Sequence, residues 1–166
     1  MVLENRLEHL LSKKQFKEMD RVILEVISSE EKAGELELIR ILERTKHPII
    51  RNTIAIHFSD VRNPNALPVL LSLLRRKDTI KSRGSLVYAF GNYEYPDHLE
   101  IIELAIDLIR DGTYETCLEA MNLVSELEVE VSTDAWNRLK QKTLIALKSA
   151  EGINQECLEE VLEMFQ

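Results

Sequence analysis

Residues 67–74 decide the fold class of this chain, and they read Leu67-Pro68-Val69-Leu70-Leu71-Ser72-Leu73-Leu74. The leucines at 67, 70, 71 and 74 follow the i, i+3, i+4, i+7 spacing of a helix with one apolar face. The stretch therefore predicts an amphipathic helix that buries one stripe of leucines.

This helical pattern recurs every 32 residues. Three apolar columns align at that shift: Leu38, Leu70 and Ile102; Leu42, Leu74 and Ile106; and Ile54, Leu86 and Leu118. The turns repeat as well, because Asn63-Pro64-Asn65 matches Tyr95-Pro96-Asp97. A unit of this length is typical of stacked repeats, in which a helix A, a short turn and a helix B bury their apolar faces against the next unit. The columns therefore predict core positions, Leu86 and Leu118 among them.

Polar residues and proline mark the ends of the predicted helices. Asn65 and Asp97 can cap A helices with a side-chain oxygen. Pro48 fits the first turn of a B helix, where its missing N–H is no loss. Thr133-Asp134 can begin a further A helix, and Gly152 separates it from a last helix.

The predicted organisation is one all-α domain over 1–166, with about ten helices in five antiparallel pairs. A divergent pair at 1–33 caps the stack, three clear repeats follow at 34–130, and a diverged pair ends the chain at 131–166. The alternative is an ordinary helical bundle with chance periodicity, which the aligned columns and matched turns disfavour.

Residues 65–91 resemble a HEAT repeat of the short bacterial HEAT-like type. In that pattern a proline lies early in helix A, an aspartate in the turn and an arginine at the start of helix B. Pro68, Asp78 and Arg83 match, whereas Glu115 stands where the third unit should have arginine. The resemblance implies a right-handed α-α superhelix, or solenoid, whose B helices line a concave protein-binding face. It also implies that Arg83 pairs with Asp78.

Charge is distributed unevenly along the chain, whose formal net charge is −8. Residues 1–96 carry 16 basic and 13 acidic side chains, whereas residues 97–166 carry 5 and 16. An excess of acid disfavours general nucleic-acid binding and favours a partner with a basic surface. We expect no membrane span, because no run of apolar residues is long enough, and a cytoplasmic location.

The sequence contains no recognisable catalytic or metal-binding motif. His9, His47, His57 and His98 do not lie four residues from one another or from a cysteine, as a helical metal pair would require. Cys117 and Cys157 fall inside helical patterns and are expected to be buried thiols. We therefore expect no catalytic residue, metal or cofactor.

One basic cluster stands out, at Arg75-Arg76-Lys77 with Lys81 and Arg83. Its plainer interpretation is a helix C-terminus favoured by the helix dipole. The alternative is a phosphate-binding patch, as in the HEAT-like DNA-repair glycosylases, which the acidic C-terminal half disfavours.

Aromatic and acidic residues form the predicted partner-binding surface. With Leu86 and Phe90 turned to the core, Tyr88 points outward, and exposed tyrosine is a common interface anchor. Thr116 and Ala120 are expected to point outward in the same way. The predicted set is Asn52, Ile56, Tyr88, Asn92, Tyr93, Tyr95, Glu115, Glu119 and Glu126. For the tyrosines, packing against the neighbouring repeat is an equal alternative.

These expectations together favour a non-catalytic protein-binding module. The HEAT-like resemblance suggests a bacterial immunity protein that neutralises a nuclease toxin, whose basic active site would attract an acidic surface. The alternatives are a scaffold or adaptor protein, including relatives of the phycobilin-lyase subunits, and, less favoured, a DNA-repair glycosylase.

Overall fold

A computed structural model describes residues 2–29, 31–94, 97–125 and 132–165. These residues form helices and connecting turns, without any strand. The α-helices are α1 (Leu3–Ser12), α2 (Phe16–Ser28), α3 (Lys32–Arg44), α4 (Pro48–Asp60), α5 (Leu67–Arg75), α6 (Gly84–Gly91), α7 (His98–Asp111), α8 (Tyr114–Ser125), α9 (Thr133–Leu147) and α10 (Ile153–Glu163). A 3₁₀ helix, Lys77–Ser82, connects α5 to α6. The all-helical prediction is confirmed.

Helix ends follow the local chemistry at most of the predicted boundaries. Pro48 occupies the first turn of α4, and Asp97 Oδ1 accepts from the backbone N–H groups of Leu99 and Glu100 at 2.9 and 3.2 Å. Ser132 caps α9. Gly152, which precedes α10, has φ +55°, a left-handed conformation that glycine adopts without strain.

The predicted cap at Asn65 is wrong. Helix α5 begins at Leu67 after Ala66, and no side chain caps it. Asn63 Oδ1 instead accepts from the backbone N–H of Asn65 at 3.0 Å, which makes residues 63–65 part of a turn.

Two of the three predicted apolar columns lie in the core. The A-helix columns, from Leu38 to Ile102 and from Leu42 to Ile106, are at most 4% exposed, and Ile54 and Leu86 are fully buried. The third column fails at its last member, because 40% of Leu118 is exposed. The prediction that Leu118 is a core residue is therefore wrong.

The length of α7 explains this failure. Helix α7 continues five residues beyond Ile106, whereas α3 ends two residues beyond Leu42. Helix α8 begins 66 residues after the start of α4, two more than two repeats of 32. The buried positions of α8 accordingly lie 34 rather than 32 residues after those of α6. Ala120 takes the place of Leu86, and Val124 that of Phe90.

Helices pack within pairs and between neighbouring pairs. Each odd-numbered helix contacts the even-numbered helix that follows it, and the even-numbered helices α2, α4, α6, α8 and α10 contact one another in succession. On the other side α1 contacts α3, α3 contacts α5, and α7 contacts α9. The even-numbered helices therefore form a continuous row. The candidate site lies on the outer surface of this row.

Buried arginines join the turns to the helices, although not as the HEAT-like resemblance implies. Arg83 is buried and donates through Nη2 to the carbonyl oxygen of Arg76 at 2.6 Å. Asp78 pairs instead with Arg76, at 2.5 Å between Oδ2 and Nη2. The expected Arg83–Asp78 pair is therefore wrong, since the guanidinium of Arg83 points into the turn toward backbone carbonyls. Arg51, also buried, donates to Ser82 Oγ at 2.5 Å.

Candidate protein-binding surface

Four even-numbered helices share one pattern of buried and exposed positions. The buried residues Arg51, Ile54 and Phe58 of α4 recur in α6 after 32 residues, and those of α6 recur in α8 after a further 34. A shift of 41 then carries the buried residues Cys117 and Ala120 of α8 onto Leu158 and Val161 of α10. Because the buried sides correspond, the outward positions of these helices also correspond.

We call these outward positions the B-helix face. On each helix they follow the i, i+3, i+4, i+7 spacing that brings side chains to one side. The face comprises Ile49, Asn52, Thr53 and Ile56 of α4; Lys81, Ser85 and Tyr88, of which the last two lie on α6; Glu115, Leu118, Glu119 and Asn122 of α8; and Glu156, Glu159, Glu160 and Glu163 of α10. Gly84 completes the spacing on α6 but is buried against Glu115. The chemistry of the face therefore changes from neutral at α4 to entirely acidic at α10.

Three of the predicted residues meet at one pocket between α6 and α8. Tyr88, Asn92 and Glu119 line it together with Asn122, and its volume is about 120 Å³. Val87, Gly91 and Leu123 complete its walls. Tyr88 is 50% exposed, as predicted for an outward-facing tyrosine. The pocket thus combines one aromatic ring, one carboxylate and two amides on an apolar base.

Hydrogen bonding leaves acceptor groups available in this pocket. Asn92 Nδ2 donates to Ser59 Oγ at 2.6 Å, so its carbonyl oxygen is the end of the amide that remains available. Within the described residues no cation lies within ion-pair distance of Glu119. The pocket is therefore suited to a ligand that donates hydrogen bonds or carries positive charge.

Tyr93 is not a surface residue, and its assignment to the partner-binding set is wrong. Its side chain is only 8% exposed, and Oη donates to the carbonyl oxygen of Phe58 at 3.1 Å. Burial raises the pKa of this phenol to about 12. Tyr93 therefore joins α4 to the end of α6, which is the alternative of packing against the neighbouring repeat.

Other predicted residues have structural partners as well as partial exposure. Asn52 is half-buried and donates to the carbonyl oxygen of Ser82 at 3.1 Å, while Ile56 is half-buried without a polar role. Thr116 and Ala120 are fully buried, so the prediction that they face outward is wrong. The reason is the two-residue displacement of the buried positions of α8, which also exposes Leu118. Tyr95 and Glu126 lie outside the described residues.

Glu115 lies across the start of α6. A Cβ placed on Gly84 would stand 2.3 Å from Cγ of Glu115, so a larger residue at position 84 would displace this side chain. Glu115 Oε1 accepts from Ser85 Oγ at 3.4 Å, which places the carboxylate near the positive end of the α6 dipole. Glu115 therefore lies against the start of α6 and adds negative charge to the B-helix face.

Negative charge is neutralised on α7 but not on α8 or α10. Ion pairs join Glu100 to Arg75 at 2.5 Å, Glu103 to Arg138 at 2.9 Å, Asp107 to Lys142 at 2.8 Å, and Asp111 to Arg110 at 2.7 Å. In the described ranges, the six glutamates of α8 and α10 have no lysine, arginine or histidine within 4.0 Å. The six uncompensated glutamates of α8 and α10 therefore all lie on the B-helix face.

Part of this face was not predicted from the sequence. Leu118 and Asn122 complete the outward side of α8, and the four glutamates of α10 extend it. The i, i+3, i+4, i+7 spacing of Glu156, Glu159, Glu160 and Glu163 is visible in the sequence and could have identified them.

Two of the three arginines in the basic cluster have acidic partners. Arg75 pairs with Glu100 and Arg76 with Asp78, while Arg83 is buried. Lys77 and Lys81 are the exposed cations of the cluster that form no ion pair with another described residue. The two ion pairs and the burial of Arg83 agree with the plainer interpretation of the cluster, as residues at the end of a helix and in the turn that follows it.

In the described part of the chain, the cysteine and histidine side chains are of the types that most often take part in catalysis or metal binding. Cys117 and Cys157 are buried, as expected, and burial raises the pKa of the Cys117 thiol to about 11, which disfavours the reactive thiolate. His57 Nε2 lies 2.7 Å from Asp20 Oδ1, between α4 and α2. The described residues hold no group of three or more His, Cys, Asp or Glu side chains arranged to bind a metal ion.

Among the described helices, none is both long and apolar enough to cross a bilayer. Comparisons of the chain with protein-family models, with curated proteins and with solved structures find no match.

Proposed function

We propose that this chain is a non-catalytic protein-binding module built as a right-handed superhelix of HEAT-like helix pairs. The succession of contacts supports the stacked arrangement, since extensive contacts join helices of the same pair or of neighbouring pairs. In such a stack one row of helices offers a continuous surface, and here the even-numbered helices provide it.

The observation that carries the proposal is the uncompensated acid of the B-helix face. Ion pairs neutralise the acids of α7 with cations from α5, α7 and α9, whereas the glutamates of α8 and α10 form no ion pair with another described residue. An exposed field of one sign accelerates encounter with a partner of the other sign. The partner we propose is therefore a protein with a basic surface.

Among protein-binding modules we favour a bacterial immunity protein that neutralises a nuclease toxin in the cytoplasm. A nuclease needs positive charge to hold phosphate, and the same charge would be drawn to the acidic end of the B-helix face. Apolar and aromatic side chains next to that end, Tyr88 and Leu118 foremost, supply surface that can be desolvated on contact.

The test is capture of proteins from the native host by the wild type and by two charge variants. The double variant Glu159→Lys/Glu160→Lys neutralises the α10 part of the face, because the two lysines offset the remaining Glu156 and Glu163. Glu100→Lys changes a side chain that pairs with Arg75 elsewhere. We expect a basic protein to be retained by the wild type and by Glu100→Lys and lost from the double variant.

Equal capture by all three proteins would exclude the B-helix face as the binding surface. The immunity assignment is tested separately, by expressing the captured protein in cells with and without this chain. Growth rescue by the wild type but not by the double variant is expected. A captured protein that is harmless to cells would overturn the immunity assignment and leave a scaffold.

A further inference from the structure

We infer that the pocket between α6 and α8 is a recognition site for an arginine side chain of the basic partner. The inference rests on the proposed function and deepens it, because it names one anchoring contact. It is argued from the shape of the pocket and from the groups that line it.

The lining groups match a guanidinium. Glu119 offers a carboxylate, Asn92 offers the carbonyl end of an amide whose nitrogen is already engaged with Ser59, and Asn122 offers a second amide. Arginine carries five N–H donors in a planar fork and no acceptor, so acceptors set around it satisfy it. The exposed ring of Tyr88 adds a face on which the planar cation can stack.

The size of the pocket also fits a guanidinium group. Its volume of about 120 Å³ is somewhat below the roughly 150 Å³ of a cavity that holds benzene. A guanidinium group is smaller than benzene and fits such a space. The apolar base of Val87, Gly91 and Leu123 can take the aliphatic stem of the same side chain.

The equivalent position on α10 shows why we place the arginine site between α6 and α8. Glu160 corresponds to Glu119 in the shift of 41, but the α8 residue equivalent to Tyr88 in the shift of 34 is Asn122, so no aromatic ring lies at this position beside Glu160. An isolated carboxylate attracts any cation, whereas the pocket distinguishes the planar guanidinium of arginine from the compact ammonium group of lysine. We therefore expect selectivity for arginine over lysine at the α6–α8 pocket and not at Glu160.

The experiment is a nuclear magnetic resonance titration of the folded chain with N-acetyl-argininamide at low salt. We expect saturable shifts at the Gly91 backbone amide and at the side-chain amides of Asn92 and Asn122, with a Kd on the order of millimolar. N-acetyl-lysinamide should bind several-fold more weakly, and the neutral citrulline analogue should cause no saturable shift.

Variants separate the pocket from general electrostatic attraction. Glu119→Gln keeps the shape and should weaken binding by at least about fivefold, and Tyr88→Leu should weaken it several-fold. Glu151→Gln removes the same charge from an exposed position outside the B-helix face and should bind as the wild type does. Circular dichroism of each variant verifies that it is folded.

Equal affinity for the arginine and lysine probes, or shifts spread along α10 instead of the pocket, would overturn the arginine site. That failure is distinguishable from failure of the proposed function. If the probe fails while Glu159→Lys/Glu160→Lys still abolishes capture, the acidic face stands and the pocket does not. If the probe binds while the double variant captures normally, the pocket stands and the acidic face does not.

Discussion

Leu86 and Leu118 occupy opposite environments although both lie on even-numbered helices. Leu86 is fully buried, whereas Leu118 is 40% exposed on the B-helix face. We predict that Leu86→Ala lowers the free energy of unfolding by about 2–5 kcal/mol and that Leu118→Ala lowers it by less than about 1 kcal/mol. Urea denaturation of both variants measures the difference. Similar losses at the two sites would mean that the buried positions of α8 are assigned incorrectly.

Tyr93 gives a pH-dependent contribution to stability. Its pKa is raised from 10.0 to about 12 by burial, so the folded chain keeps the phenol neutral at pH values where the unfolded chain ionises it. The contribution is therefore complete below pH 10 and is lost as the pH rises from about 10 to about 12. We predict that Tyr93→Phe flattens the fall in stability over this range.

The same variant has a second expected effect at pH 8. Tyr93→Phe removes the hydrogen bond to the carbonyl oxygen of Phe58 and should cost about 0.5–1.5 kcal/mol there. Denaturation midpoints between pH 8 and pH 12 check both effects. A slope that matches the wild type would show that Tyr93 is not the buried titrating group.

At the scale of the elements, α10 closes the end of α7. Asn154 Nδ2 lies 2.6 Å from the carbonyl oxygen of Ile109, 3.2 Å from that of Arg110 and 3.1 Å from that of Gly112. These carbonyls lie at the C-terminal end of α7, where the helix dipole is negative, and the Ile109 carbonyl also accepts from the backbone N–H of Gly112 at 3.4 Å. The amide of Asn154 therefore fastens the last helix to the preceding pair.

We predict that Asn154→Asp destabilises the fold by about 2–3 kcal/mol at pH 7, because a carboxylate cannot donate to these carbonyls and is repelled by them. The loss should shrink near pH 3–4, where a protonated carboxyl can donate. Asn137→Asp, at an exposed position of α9, is the matched control and should change little. Equal losses for the two variants would contradict this role.

At the scale of the whole molecule, the acids divide between two surfaces. Glu119 belongs to the B-helix face, while Glu100 pairs with Arg75 between α5 and α7. We predict that Glu119→Lys slows association with a basic partner and that Glu100→Lys leaves the rate nearly unchanged. Exposed charges steer encounter and are screened over about 8–10 Å at physiological salt, so the difference should vanish as salt is raised.

Stopped-flow association rates at several salt concentrations measure this effect for the two variants. The loss should be largest at low salt. If Glu119→Lys and the wild type associate at the same rate at low salt, the B-helix face does not steer the encounter.

The sequence by itself determined the helical class, the buried columns of the A helices and several helix ends. These features are local, because the spacing of apolar residues fixes which side of a helix is buried, and Pro48 and Asp97 act within one turn of their own positions. The outward position of Tyr88 follows from the same spacing.

The tertiary structure alone decided the register of α8, the burial of Tyr93 and the pocket between α6 and α8. The register depends on how far α7 extends beyond Ile106, which the repeat spacing does not fix. Tyr93 is buried because Phe58, 35 residues earlier, presents a carbonyl oxygen to it. Which acids remain uncompensated depends on cations such as Lys142, which reaches Asp107 from another helix. Each of these outcomes is set by a partner distant in sequence, and such partners meet only when the helices pack.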